Sequence, residues 1–536
     1  MPSFPTRHIC LSEEIVSHPA TTRPTPCPAN AVGVARETEH AIAAAKMPRL
    51  RMVAIISCLT CITGIGNLLA GLLTLCIPTI ASDLGIPQSL QLWPAAAFAL
   101  ACGVTLLPLG AVTDVVGSRR MCLAGAVLQT ASAVGSGLAR NTSELIALRT
   151  VAGVAASFCL PGAVGVAGRV FDARDNPRWR SAAFAAMGGG QAIGFGVGLV
   201  LGGVCTQTIG WRWGFYITAI TNGVVLVAAF WALPRTVEHR SANQSILSRL
   251  GREIDWLGAL LLSTSLALLS YVLSITAASN ASRNLRRPLN IALLVLGTLL
   301  LVASGLWMKR QTKRNRLALV PSTVWSNIPF TAVCVTVFLA WGSLNASEQL
   351  TALYLQDILG RSPLQTSLYF LPAPITGLLV NMAIGFLLPY LRPSITVPAG
   401  CLVSGTAPLL LAVLCRVDGP GYWSGVFEAV ALNPLGADII YTIANLIVTD
   451  AFPPSTQALA GGIFNTLAQI GKSVGIATTS ALAGHITAQG ASIDSKTALL
   501  HGYKAGWFYN LALGFAAATV SFYGLKNTGK LGVKRE

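Results

Sequence analysis

Charge is what this sequence has least of. Only 11% of its 536 residues are Asp, Glu, Lys or Arg, against 53% hydrophobic, and the mean hydropathy is +0.63. A soluble domain carries about 25% charged residues to face water, so this balance excludes an ordinary globular protein and leaves a chain that crosses a bilayer many times. Acids are scarcer than bases, 20 against 37, which gives a net charge of +17. The bases sit in short clusters between apolar runs, as positive-inside loops do, so no nucleic-acid partner is expected. None of the six histidines belongs to an H-E-x-x-H site, and no nucleophile motif or nucleotide-binding loop stands out, so the chain is not read as an enzyme. The twelve cysteines lie mostly within apolar runs and show no paired C-x-x-C metal spacing; they read as small reduced hydrophobes, with no metal or cofactor expected. Residues 1–50 are polar and proline-containing. They lack a short apolar core followed by a cleavage site, so they read as a disordered cytoplasmic tail rather than a signal peptide.

What the sequence has in abundance is apolar length. A bilayer core of about 30 Å takes about 20 helical residues, and fourteen segments from Met52 onward are long enough. They run approximately over 52–80, 91–113, 121–139, 143–168, 181–207, 213–234, 256–278, 289–308, 328–350, 364–389, 394–415, 422–448, 456–485 and 503–525. Lipid leaves backbone polar groups no external partner, so every span must be helical and the fold class is all-α. With the N-terminus placed in the cytoplasm, most Lys and Arg residues fall on the cytoplasmic side, which puts both termini there. Arg283, Arg286 and Arg287 form the exception, in an outside connection. Among the sequons at Asn141, Asn280 and Asn345, Asn280 is the most credible glycan acceptor because its outside connection is the longest.

One span stands apart. The stretch 188–203 reads GGGQAIGFGVGLVLGG, and Gly190, Gly194, Gly198 and Gly202 fall four apart on one helix face. Such a face lets a second backbone approach closely. Gly194, Gly198, Gly202 and Gly203 match the glycines of G-x-x-x-G-P-x-x-G-G, with Leu199 in the proline position. That pattern resembles the antiporter motif of major facilitator transporters. The connection Gly110-Ala-Val-Thr-Asp114-Val-Val-Gly117-Ser118-Arg119-Arg120 resembles the same superfamily's cytoplasmic loop signature, which latches one conformation of the transport cycle. Val115 and Ser118 replace two expected arginines there. In the fourth span, Arg149 followed by Gly153 resembles the motif with an intramembrane arginine. In the first span Pro78 is kept, but Leu69 stands where many fourteen-helix relatives carry an aspartate.

Polar residues inside spans cost free energy and mark pathways when they persist. Arg149 lies about six residues in from Ser143; it either snorkels to the outer surface or faces a central cavity. Asp438, the acid nearest the middle of its span, shares a helix face with Thr442, Asn445 and Thr449, and Asn465, Gln469 and Lys472 do the same on the next. Glu348 and Glu428 fall near the outer ends of theirs and divide between interfacial and cavity roles.

Together with GGIFNTLAQIGKSVG over 461–475, Ser362-Pro363-Leu364-Gln365-Thr366 and Gly210-Trp211-Arg212-Trp213, these motifs are similar to those of the fourteen-helix drug:proton antiporters. Fungal aminotriazole resistance-like pumps and secondary-metabolite efflux pumps are the members they resemble. The resemblance implies a tail over 1–50, a six-helix bundle over 51–235, a linker with two extra helices over 236–327, a second bundle over 328–525, and a tail over 526–536. It further implies a monomeric plasma-membrane exporter of small, largely apolar compounds in exchange for protons. Arg149 and Asp438 would couple the proton, and Asn465, Gln469, Lys472, Glu348 and Glu428 would line the path. A nutrient or metal-chelate importer and a non-transporting membrane sensor are the competing readings.

Overall fold

The structure is a computed structural model. It describes residues 48–87, 90–171, 177–234, 246–276, 287–314, 316–387, 392–419, 422–451, 454–490, 494–526 and 528. The expected outside connection with Asn280, Arg283 and Arg286 lies outside these residues, as does the N-terminal tail before Pro48. Every regular element among the described residues is helical.

Six helices come first: α1 (Arg49–Leu84), α2 (Trp93–Val116), α3 (Ser118–Leu138), α4 (Thr142–Val170), α5 (Pro177–Thr208) and α6 (Trp211–Ala232). Local chemistry sets their ends. The α4 cap is reciprocal, since Asn141 accepts from the Glu144 N–H while a Glu144 carboxylate oxygen accepts from the Arg140 N–H. Gly117 turns the chain between α2 and α3 at φ 108°, a conformation that a side chain would strain. A short helix α7 (Ile246–Glu253) then leads to the pair α8 (Trp256–Thr276) and α9 (Pro288–Lys313), which pack on each other.

The remaining helices are α10 (Ile328–Leu353, continued by a π-helical turn over Tyr354–Ile358), α11 (Pro363–Phe370), α12 (Pro372–Leu387), α13 (Pro393–Leu414), α14 (Val426–Leu432), α15 (Leu435–Ala451), α16 (Pro454–Gln489) and α17 (Ser495–Leu525). The expected spans 364–389 and 422–448 are each two helices rather than one. Proline supplies no N–H and crowds the preceding turn, and the breaks fall at Leu371-Pro372 and Asn433-Pro434. At the second break the Ser404 hydroxyl donates to the Asn433 carbonyl, and Asn433 Nδ2 donates to the Leu344 carbonyl at 3.2 Å. The Asn433 carbonyl at the break therefore keeps a partner without water.

The helices α1–α6 form one bundle and α10–α17 another. They meet through α2 against α16, and through α5 against α11 and α12. Helix α8 packs on both α2 and α16, and the Ser263 hydroxyl donates to the Val104 carbonyl of α2 at 2.8 Å. Each bundle thus supplies six membrane crossings, with the α8–α9 pair outside both. The ends of the molecule are named below by Asp83, at the C-terminal end of α1, and by Arg119, at the start of α3.

Candidate functional site: the interface between the two bundles

The glycine face of α5 lies on α1. A Cβ at Gly202 would stand 2.8 Å from the Leu72 carbonyl oxygen, and Cβ atoms at Gly194 and Gly198 would collide with the carbonyls of Gly64 and Leu68. Helix α5 cannot carry side chains at these positions, which is why glycine recurs there every fourth residue. Gly190 continues this face against Thr60 of α1, and two other glycines look elsewhere. Gly196 packs against Pro374 of α12 and Gly203 against Ser367 and Leu364 of α11, so one helix holds its own bundle on one side and meets the other bundle on another.

At the α2–α3 connection, Arg119 donates to the carbonyls of Leu233 at 3.0 Å and Phe230 at 2.8 Å, and its guanidinium lies 5.5 Å from the centre of the Phe230 ring. It ties the start of α3 to the end of α6. Asp114 is exposed and within electrostatic reach of Arg169, and Gly110 has open space where a side chain would go.

Among the described residues, the side-chain hydrogen bonds between the bundles lie toward the Asp83 end, while apolar contact between α2 and α16 continues past Gly103 to Leu107. Gln349 Nε2 of α10 donates to the Thr74 hydroxyl of α1 at 2.8 Å, and Gln356 Nε2 donates to the Leu75 carbonyl at 3.2 Å. The Ser473 hydroxyl of α16 donates to the Ala96 carbonyl of α2 at 3.1 Å. Around these bonds runs a single apolar cluster that includes Leu73, Ile77 and Ala96 from the first bundle and Ala346, Leu350 and Trp507 from the second. Toward the Arg119 end, Leu107 stands opposite Gly462.

Four charged side chains converge beneath this seal. Arg149 is 1% exposed, so it does not snorkel. Its Nε donates to the Pro94 carbonyl at 3.4 Å and its guanidinium lies 4.7 Å from the centre of the Phe98 ring, both on α2. Lys472 reaches toward α2 from the other bundle, within electrostatic reach of Arg149, Cys102 and Glu348. Lys472 is half-buried. Among the described residues, neither Glu348 nor Lys472 makes a side-chain hydrogen bond or a close ion pair.

The position of Glu348 corrects the expectation that it falls near a helix end. Helix α10 continues through its π turn to Ile358 instead of stopping near 350, so Glu348 is ten residues in, about 15 Å at the helical rise, and only 9% exposed. Asp438 is displaced the other way: the break at Pro434 puts it in the first turn of α15, packed against Gly377 of α12 and within electrostatic reach of Glu348. Glu428 is not part of this group. Its carboxylate accepts from the Gly425 N–H at 2.7 Å and closes the first turn of α14.

Of the remaining path candidates, Asn465 Nδ2 donates to the Gly461 carbonyl of its own helix at 2.9 Å. The carbonyl oxygens of Gln469 and Gln349 are buried with no partner among the described residues. Gln349 was missed by sequence reasoning, although Glu348-Gln349 in an apolar span was a visible signal. The arrangement offers two cations, two carboxylates and uncommitted amide oxygens in a low-dielectric centre shared by two bundles. Such a centre can hold and release protons as the bundles move.

Comparison with known proteins names the architecture. The model of the Major Facilitator Superfamily matches residues 56–476. The chain belongs to that superfamily. It is 35% identical to MFS-type transporter 1 of Pyricularia oryzae, over 91% of this chain and 85% of that one. Efflux pump terJ of Aspergillus terreus is 24% identical, with 83% and 82% covered. The low affinity ammonium transporter of Saccharomyces cerevisiae is 25% identical, with 83% of each covered. A crystal structure of the peptide transporter POT in complex with sulfate superposes with a TM-score of 0.62 at 13% identity, covering 88% of this chain and 95% of that one, a likeness of fold. The chain is therefore a multi-pass membrane transporter of the major facilitator fold.

Proposed function

We propose that this transporter exports small, largely apolar organic compounds across the plasma membrane in exchange for protons. It works as a monomer whose two bundles, 51–235 and 328–525, rock about the interface. Residues 236–327 link them, and the tails 1–50 and 526–536 are cytoplasmic. One observation carries the reading: Arg149 of one bundle and Glu348 of the other both lie within electrostatic reach of Lys472, where α2 meets α16, and Asp438 lies within reach of Glu348. Proton exchange needs titratable groups whose surroundings change as the bundles move, and this cluster spans the moving interface. With the Arg119 end in the cytoplasm, the Asp83 seal faces outward. Relatives named efflux pump and multidrug transporter support export.

The experiment is reconstitution of the full chain in proteoliposomes with an imposed pH gradient, using rhodamine 6G, puromycin and methylammonium as probes. Uphill movement of an apolar probe against the proton flow is expected; indifference of all three to the gradient would overturn the reading. The ammonium-transporter relative and Leu199 in the motif's proline position favour import as the second reading. Proton-driven movement of methylammonium alone, in the same direction as the protons, would establish it. Orientation has its own test. A cysteine at Ser282 should react with an impermeant thiol reagent in intact cells once native cysteines are controlled, and reaction only after permeabilisation would reverse the topology.

A further inference from the structure

We infer that Glu348 is the acid that carries the proton, that Lys472 is its counter-charge, and that Arg149 expels the proton when the bundles close at the Asp83 end. The inference rests on the exchange reading above and adds a site and a direction to it.

Glu348 and Lys472 project from α10 and α16, which pack against each other within the second bundle, so their relation persists as the bundles rock. Arg149 belongs to the first bundle and is pinned to α2 by the Pro94 carbonyl and the Phe98 ring. Helix α2 meets α16 beside Lys472, where Ser473 bonds the Ala96 carbonyl. Opening the Asp83 end must break that bond and carry Arg149 away from Lys472.

The charges around Glu348 are few. Of the helices packed on α10, α16 presents Lys472 and α15 presents Asp438. Helix α17 presents the neutral Asn510, whose Nδ2 donates to the Ser347 hydroxyl at 3.0 Å; its Lys496, His501, Tyr503 and half-buried Lys504 lie further toward the Asp83 end, where the Tyr503 hydroxyl donates to Asp357 at 3.3 Å. Along α1 the charged side chains are at the two ends, and α13 carries none within its length.

When the interface closes, two cations face each other in a medium of low dielectric constant, and an ionised Glu348 relieves the repulsion. The carboxyl O–H bond breaks, its electron pair stays on Glu348, and the proton leaves to cavity water. When the interface opens and Arg149 withdraws, Lys472 stands alone and Glu348 takes a proton from the opened side. Protons then enter from the Asp83 end and leave toward the Arg119 end, the sense that drives export if the Arg119 end is cytoplasmic.

The test is infrared titration of the purified full chain in lipid, reading the carboxyl C=O band above amide I, which needs no substrate. The wild type should show a titrating carboxyl band that Glu348→Gln removes, Glu348→Asp keeps and Asp438→Asn leaves in place. Lys472→Met should keep the band toward more alkaline pH, by at least about one unit if the two charges interact as close neighbours do, and Lys472→Arg should restore it. A band that survives Glu348→Gln, or vanishes in Asp438→Asn, overturns the assignment; indifference to Lys472→Met overturns the role of Lys472. In proteoliposomes, Glu348→Gln should lose pH-driven uphill movement of rhodamine 6G but keep gradient-free exchange. Uphill movement at the wild-type rate would also overturn the assignment. If the infrared result holds while the wild type ignores the pH gradient, the exchange reading fails and the Glu348 site stands.

Discussion

The seam between α1 and α5 and the centre between α2, α4, α10, α15 and α16 are built from opposite materials. The seam carries no charge and little side chain, and backbone meets backbone at Gly64, Gly194 and Gly198. The centre carries four charges, and Glu348 and Lys472 have no side-chain hydrogen bond among the described residues. Close backbone packing has one good distance and makes two helices move as one body. Loosely held charges respond to a change of a few ångströms. Small residues therefore mark what stays rigid within a bundle, and charges mark what changes between bundles.

The strongest way to break this contrast is to put bulk into the seam. Gly198→Leu should abolish transport while the protein still reaches the membrane, because even a Cβ there collides with the Leu68 carbonyl. Overpacking of this kind costs about 1–3 kcal/mol and must separate α1 from α5. A small residue should be tolerated better. Gly189→Leu is the control, since a Cβ there meets nothing within 4 Å. Transport by Gly198→Leu at the wild-type rate would refute close packing as the reason for the glycines.

Within the centre, Asp438→Asn should slow transport several-fold without abolishing pH-driven uphill movement. Asp438 is packed against Gly377 within its own bundle and acts on Glu348 only through space. Complete loss of pH coupling in Asp438→Asn, with Glu348→Gln unaffected, would exchange the two roles.

A smaller effect belongs to the seal. Gln349→Ala removes one hydrogen bond between the bundles, worth about 1 kcal/mol, which shifts the equilibrium toward opening at the Asp83 end by about fivefold. A cysteine at Ala346, buried within the apolar cluster, should then react several-fold faster with a soluble thiol reagent. An unchanged rate would mean that Gln349 contributes nothing to closure.

The seam was legible in the sequence and the centre only partly so. Four glycines at a spacing of four state both the helix face and its need for a close neighbour, though not that the neighbour is α1. Arg149 and Lys472 were visible as charges in apolar runs. Glu348 was misplaced because the end of α10 depends on a π turn, and no hydrophobic pattern announces one. The break at Asn433-Pro434 was signalled by its proline, yet the continuous apolarity of 422–448 concealed it. Convergence of α4 and α16 across the bundle interface is a property of tertiary packing, and spacing along one chain does not encode it.

The smallest effect lies outside both regions, on α7, and it tests whether the connection between the bundles takes part in pH sensing. The Arg249 guanidinium donates to both Glu253 carboxylate oxygens, Nε at 2.8 Å and Nη2 at 3.0 Å, one helical turn apart. These bonds hold the Glu253 carboxyl below the usual carboxylate range. A lowered value means that the pair supports α7 fully above the ordinary Glu pKa of about 4.3, and that this support fades as pH falls through the folded value. Exposed pairs of this kind contribute little and are screened by salt. Amide exchange within 246–253, corrected for intrinsic rates, should therefore stay level between pH 8 and 5 and rise only below about 4. Arg249→Ala should remove the pH dependence and leave transport at the wild-type rate. A change in the pH profile of transport in that variant would place pH sensing on the connection as well as in the centre.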